Sequence, residues 1–112
     1  MQITSRTIGD VTILDMNGRL ILGEGTQMLK DRLDAIVATG PHKVVFNLQH
    51  VSYVDSCGLG ELVRSLATVD RKGGSLKLVN LTSKITDLLV ITKLLTVFDA
   101  YDSEAAALAS FK

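Results

Sequence analysis

The chain has 112 residues, of which 46% are hydrophobic, and its twelve basic residues equal its twelve acidic residues in number. This length and composition predict a single compact domain over residues 1–112 with a buried core. A net charge of zero provides no general field that would attract a phosphate backbone or an anionic membrane surface. We therefore expect no direct nucleic-acid partner.

The chain begins without the basic stretch and apolar run that a secretory signal needs, and its apolar runs are much shorter than the roughly 20 residues that cross a bilayer. It contains one cysteine, Cys57, so it has no framework of disulfide bonds. These features predict a cytoplasmic protein that does not insert into membranes.

The first part of the chain has the alternation and turn residues that are typical of strands. Residues 3–8 and 11–16 are predicted to form a β-hairpin around Gly9 and Asp10. Asn17 and Gly18 form a second strong turn signal, which predicts a separate third strand over residues 19–22.

The apolar period then changes to that of a helix, with Leu29 and Leu33 on one face. Thr26 is predicted as the N-cap of this first helix, and Gly40-Pro41 as its stop. Residues 43–48 are apolar and β-branched, which is typical of a strand that is buried on both faces.

Asp55 and Ser56 precede a second stretch with helical spacing, which ends at residues 72–74. A strand over residues 75–79, a third helix capped by Thr82 or Ser83, a last short strand within residues 95–101 and a fourth helix after residues 102–104 complete the pattern. The predicted fold is an α/β sandwich with a mixed β-sheet of four to five strands and about four α-helices. Its N-terminal hairpin is antiparallel and its central strands are parallel.

Residues 51–60, Val-Ser-Tyr-Val-Asp-Ser-Cys-Gly-Leu-Gly, resemble the signature of the STAS family, whose fold is that of bacterial anti-sigma factor antagonists. The step from Gly18 to Leu20, the strand before the signature, the pair Gly73-Gly74 and the apolar third helix also occur in family order. The resemblance covers nearly the whole chain, and it implies the STAS fold.

The resemblance also implies a mechanism of partner switching that regulates transcription. An unphosphorylated antagonist binds an anti-sigma factor, which is itself a serine kinase of the GHKL-type ATPases, and thereby releases a sigma factor. The kinase phosphorylates the serine that follows the aspartate, here Ser56, and the complex dissociates. A PPM-type serine phosphatase restores the binding form. The resemblance implies a regulator that is not an enzyme and that needs no cofactor.

The residues expected to contact the partner are mostly at the start of the second helix. Missing side chains at Gly58 and Gly60 are expected to let a partner approach closely. In the resembling family, antagonists often carry an acidic residue soon after the step from Gly18 to Leu20, where this chain has isoleucine and leucine. Glu24 is expected to substitute for it from the following loop. The full set of candidate partner-binding residues is Asp55, Ser56, Cys57, Gly58, Gly60 and Glu24.

Simpler interpretations apply to several of these residues. Asp55 and Ser56 are common N-caps, and Cys57 is expected to be a small buried residue without a catalytic role. His42 and His50 lack the spacing of metal ligands and are expected at strand ends or on the surface.

Two other functions are consistent with the same sequence. One is a constitutive assembly subunit, for example of a lipid-transporting ABC complex. The other is an enzyme with Cys57 or Ser56 as nucleophile, for which the chain offers no evident base. As an antagonist, the protein is expected to be a monomer or a weak dimer.

Overall fold

A computed structural model of the protein describes residues 1–39 and 42–111. Strands and helices alternate along most of this part of the chain. The elements are β1 (Gln2–Ile8), β2 (Val11–Leu20), α1 (Glu24–Val37), β3 (Lys43–Val54), α2 (Ser56–Arg71), β4 (Ser75–Val79), α3 (Ser83–Ile91), β5 (Asp99–Tyr101) and α4 (Glu104–Ser110).

The strands form one mixed sheet of five strands in the order β1-β2-β3-β4-β5. The pair β1 and β2 is antiparallel, and the two-residue connection between them contains Gly9 at a φ of 61°, a backbone region that favours glycine. The other pairs are parallel. The predicted architecture, with an antiparallel hairpin, parallel central strands and about four helices, is therefore confirmed.

The prediction of a turn at Asn17 and Gly18 was wrong. Strand β2 continues through both residues to Leu20, and they pair with His50 and Val51 of β3. The pairing register shifts on either side of them, and Gly18 has a φ of 122°. The glycine thus permits a bulge in a long strand. The same conformational freedom is what made a turn the natural prediction from the sequence.

Strand β3 includes the predicted strand and is longer, because it continues to pair with β2 as far as Val54. Val44 and Phe46 lie in the main core cluster, whereas Val45 lies in a smaller cluster on the other face, so this part of β3 is buried on both faces as predicted. The ends of β2 and β3 are adjacent, since Leu20 pairs with Val54. The segments that follow these two strands therefore emerge side by side.

Helices α1, α2 and α3 cover one face of the sheet and share the main core cluster with it, through residues such as Leu33, Leu62 and Leu89. Helix α4 contributes Ala107 to the smaller cluster on the opposite face. There Lys77, only 8% exposed, places its ammonium 4.8 Å from the centroid of the Phe111 ring. Within residues 1–39 and 42–111, no helix has the length and apolar character needed to cross a membrane.

The helix starts agree with some of the predicted capping signals and not with others. Thr26 is not an N-cap, because α1 begins earlier, after Gly23, and the Thr26 hydroxyl instead donates to the Gly23 carbonyl at 3.1 Å. Thr82 caps α3 by accepting from the Ile85 amide. The predicted limits of α2 and β4 are confirmed. The predicted stop at Gly40-Pro41 lies outside the described residues.

Candidate partner-binding site at the start of helix α2

Asp55 forms the junction between β3 and α2. Its backbone is extended, with φ −90° and ψ −177°, and its Oδ1 accepts a hydrogen bond from the Gly58 amide at 2.7 Å. This is the geometry of an N-cap, in which a side-chain oxygen satisfies an amide that has no partner within the helix. The capping role that the sequence suggested for Asp55 is confirmed.

The second carboxylate oxygen of Asp55 holds the neighbouring loop. Oδ2 accepts from the Leu22 amide at 3.0 Å, and the Asp55 amide donates to the Leu20 carbonyl at 3.3 Å. The bond from Leu22, followed by that from Gly58, holds the pKa of the Asp55 carboxyl below its usual value. Asp55 is therefore charged at neutral pH, and it connects the segment after β2 to the start of α2.

Ser56 and Cys57 form the first two positions of α2, and both are exposed. The expectation that Cys57 is buried was wrong, because the helix turns its first two residues away from the sheet edge and directs Gly58 and Leu59 inward. Both the Ser56 hydroxyl and the Cys57 thiol are thus on the surface. Of the two, only the hydroxyl directly follows the charged cap.

The two glycines of this segment have different surroundings. A Cβ atom at Gly58 would lie 2.0 Å from the Leu20 carbonyl oxygen, so its missing side chain makes room for β2. Packing within the domain thus accounts for the glycine at position 58, and the approach of a partner there stays a prediction. Gly60 is exposed, and no atom lies within 4 Å of the position that a Cβ would take there. Gly60 leaves open surface beside Ser56.

Glu24 is the first residue of α1 and not part of the preceding loop. Its side chain is exposed and lines a shallow depression of about 490 Å³ together with Arg19 and Leu22. Through Leu22, whose amide is bonded to Asp55, this depression adjoins the start of α2. The structure therefore places Glu24 on the neighbouring segment, Asp55 at the N-cap of α2 and the other candidates in the first two turns of α2.

Two exposed apolar residues at this edge were missed by sequence reasoning. Leu22 is 72% exposed and follows β2, and Tyr53 is 54% exposed near the end of β3. The sequence pattern places Leu22 in a strand and gives Tyr53 no secondary structure. Their position next to the carboxyl ends of parallel strands is the signal that could have identified them.

The two histidines do not join this site. His50 is exposed within β3, and His42 lies before β3 with its Nε2 2.6 Å from the Thr39 hydroxyl. In the described part of the chain, no three His, Cys, Asp or Glu side chains are grouped in a way that could hold a metal ion.

The family model of the STAS domain matches residues 2–107. This chain belongs to the STAS domain family. The anti-sigma-B factor antagonist of Bacillus subtilis is 46% identical to it over 52 residues, which cover 46% of this chain and 48% of that relative. A protein of Thermotoga neapolitana, named provisionally as an anti-sigma factor antagonist, is 30% identical over 103 residues, which cover 92% of this chain and 91% of the relative.

A crystal structure from Thermotoga maritima, of a protein with the same provisional name, superimposes with a TM-score of 0.89 at 27% identity. It covers 96% of this chain, and the match spans 92% of that structure. The STAS member described here is thus similar over nearly its whole length to proteins named as anti-sigma factor antagonists.

Proposed function

We propose that this STAS protein is an anti-sigma factor antagonist whose binding is switched off by phosphorylation of Ser56. In its unphosphorylated form it binds an anti-sigma factor that is a GHKL-type serine kinase, and a sigma factor is released. A PPM-type phosphatase reverses the modification. The single observation that carries the proposal is the exposed Ser56 hydroxyl at the first position of α2, directly after the charged cap Asp55.

The local geometry tolerates a phosphate in the free protein. Ser56 is exposed, so its modification displaces no core residue. The N-terminus of a helix favours negative charge by about 0.3 to 1 kcal/mol at a surface position. Asp55 already neutralises part of this effect, because its carboxylate accepts from the Gly58 amide. The phosphorylated domain should therefore keep its fold and nearly all of its stability.

The complex responds differently to the same charge. A phosphoserine carries about −1.5 to −2 charges and would lie beside the carboxylate of Asp55. Burying an uncompensated charge in an interface costs on the order of several kcal/mol, and each ~1.4 kcal/mol corresponds to tenfold in affinity. The penalty in the complex outweighs the small effect in the free protein, so phosphorylation separates the partners without unfolding the antagonist.

The test is intact-mass spectrometry of the protein after incubation with ATP and each candidate anti-sigma factor kinase. Ser83 offers a matched control, because it is also an exposed serine at the first position of a helix, after the hydroxyl-bearing cap Thr82. We expect one phosphate on the wild type and on Ser83→Ala, and none on Ser56→Ala. Phosphate on Ser56→Ala would refute the assignment of the switch residue.

Absence of phosphate with every kinase, together with stable binding to a membrane ATPase that Ser56→Glu leaves unchanged, would refute the proposal as a whole. It would favour a constitutive assembly subunit instead.

A further inference from the structure

Helix α3 is apolar on more of its surface than its packing requires. Of its nine residues only Ile85 and Leu89 are buried, yet the apolar side chain of Ile91 is 78% exposed. An exposed apolar patch of this kind at the surface of a small domain is typical of an interaction site.

A groove of about 420 Å³ lies between this helix and the end of β3. Tyr53 lines it from the strand, and Leu88 and Ile91 line it from the helix. Lys84 and Asp87 add one charge of each sign to the lining. The groove therefore suits an apolar side chain of a partner, flanked on the partner by polar residues with little net charge.

The groove is close to the proposed phosphorylation site. Tyr53 precedes Ser56 by three residues, so their Cα atoms are at most about 11 Å apart even in an extended chain. A specific protein interface of standard size buries about 800 Å² on each partner, which corresponds to a circular patch of about 16 Å radius. A partner that seats Ser56 in its active site therefore extends over Tyr53 and the mouth of the groove.

We propose that this groove receives an apolar side chain of the same anti-sigma factor kinase that phosphorylates Ser56. The inference rests on the function proposed above and adds a second contact to it. In many interfaces a few side chains in desolvated pockets, tyrosine and tryptophan often among them, carry most of the binding energy. The groove holds the kinase by a contact that the phosphate does not touch, while Ser56 decides whether the complex persists.

Ile91→Ser tests the groove, with Val90→Ser as a matched control. Both residues are exposed β-branched side chains on α3, so neither substitution opens a cavity in the core, and only Ile91 lines the groove. The measurements are the Kd for the kinase by calorimetry and the steady-state kinetics of Ser56 phosphorylation. We expect Ile91→Ser to raise Kd and KM at least tenfold with kcat unchanged, and Val90→Ser to stay within twofold of the wild type.

Equal Kd values for Ile91→Ser, Val90→Ser and the wild type would overturn the inference and leave phosphorylation of Ser56 intact. A wild-type protein that no kinase binds or phosphorylates would overturn the proposed function and the inference together. Sedimentation analysis supplies a third outcome. If Ile91→Ser abolishes self-association of the free protein and leaves the Kd for the kinase unchanged, the groove is filled by a second copy and the inference is wrong.

Discussion

Replacing Gly58 by alanine should destabilise the protein strongly, because the added methyl group has no space. The new Cβ would lie 2.0 Å from the Leu20 carbonyl oxygen and 2.9 Å from the carbonyl carbon, and both atoms belong to the backbone of β2. Backbone atoms cannot rotate away as a side chain can, so α2 or β2 has to shift by about 1 Å. Overpacking costs about 1 to 3 kcal/mol, and we expect Gly58→Ala at about 3 kcal/mol. At about 4 °C per kcal/mol in a domain of this size, Tm falls by about 12 °C.

Gly60→Ala is the control for this prediction, since it lies on the same helix and has open space around the position of its Cβ. Alanine in place of glycine inside a helix stabilises by about 0.5 to 1 kcal/mol, so Tm should rise slightly. Thermal unfolding followed by circular dichroism measures both variants. A Gly58→Ala protein that melts within 2 °C of the wild type would refute the packing argument. If Gly60 faces the kinase, Gly60→Ala also weakens binding of the kinase while it raises Tm.

Three further predictions concern the switch, acid stability and the second face of the sheet. Ser56→Asp should weaken kinase binding about a hundredfold in calorimetry and change Tm by less than about 2 °C; a large fall in Tm would show that the charge acts on the fold. The Arg6 guanidinium, bonded to Asp15 Oδ2 at 2.5 Å, holds the pKa of the Asp15 carboxyl below its usual value. The ion pair between Arg6 and Asp15 therefore stabilises the fold above about pH 4, and this stabilisation is lost as the pH falls further. In urea unfolding from pH 5 to pH 2, Asp15→Asn should therefore lose stability less steeply than the wild type, and equal slopes would contradict the assignment. Phe111→Leu removes a ring 4.8 Å from the Lys77 ammonium, which should lower the free energy of local unfolding of α4 by about 1 kcal/mol. Amide exchange in α4 should then be about fivefold faster, and unchanged exchange would mean that the ring does not hold α4.

The sequence predicted helix α2 and its cap well, because local signals there agree with the tertiary structure. The strand before it is buried, Asp55 has the preferred cap chemistry, and the apolar spacing continues through Leu62. The same local reasoning failed at Gly18, where a glycine after an asparagine indicates a turn but the adjacent strand β3 continues the pairing. Pairing with a distant strand outweighed the local turn preference.

The surface of the site was harder to predict than its position. Cysteine is one of the residue types most often found buried. The exposure of Cys57 follows only from the direction in which α2 leaves the sheet edge. The role of Gly58 depends on the Leu20 carbonyl, which lies 38 residues earlier in the chain. Contacts of this kind are set by the packing of β2 against α2, and no spacing rule within one segment encodes them. Partner contact remains a prediction for all six candidate residues, which are Asp55, Ser56, Cys57, Gly58, Gly60 and Glu24.

The order of strands in the sheet has a consequence for how the chain reaches its native state. Because each strand pairs with the one before it in sequence, no later strand has to be inserted between two that are already joined. The hairpin of β1 and β2 can form first from contacts that are close in sequence, and β3 to β5 then add at one growing edge as synthesis proceeds from the N-terminus. In a chain that is still emerging from the ribosome, the sheet would thus grow at the strand added most recently, and β5 with α4 would be added last.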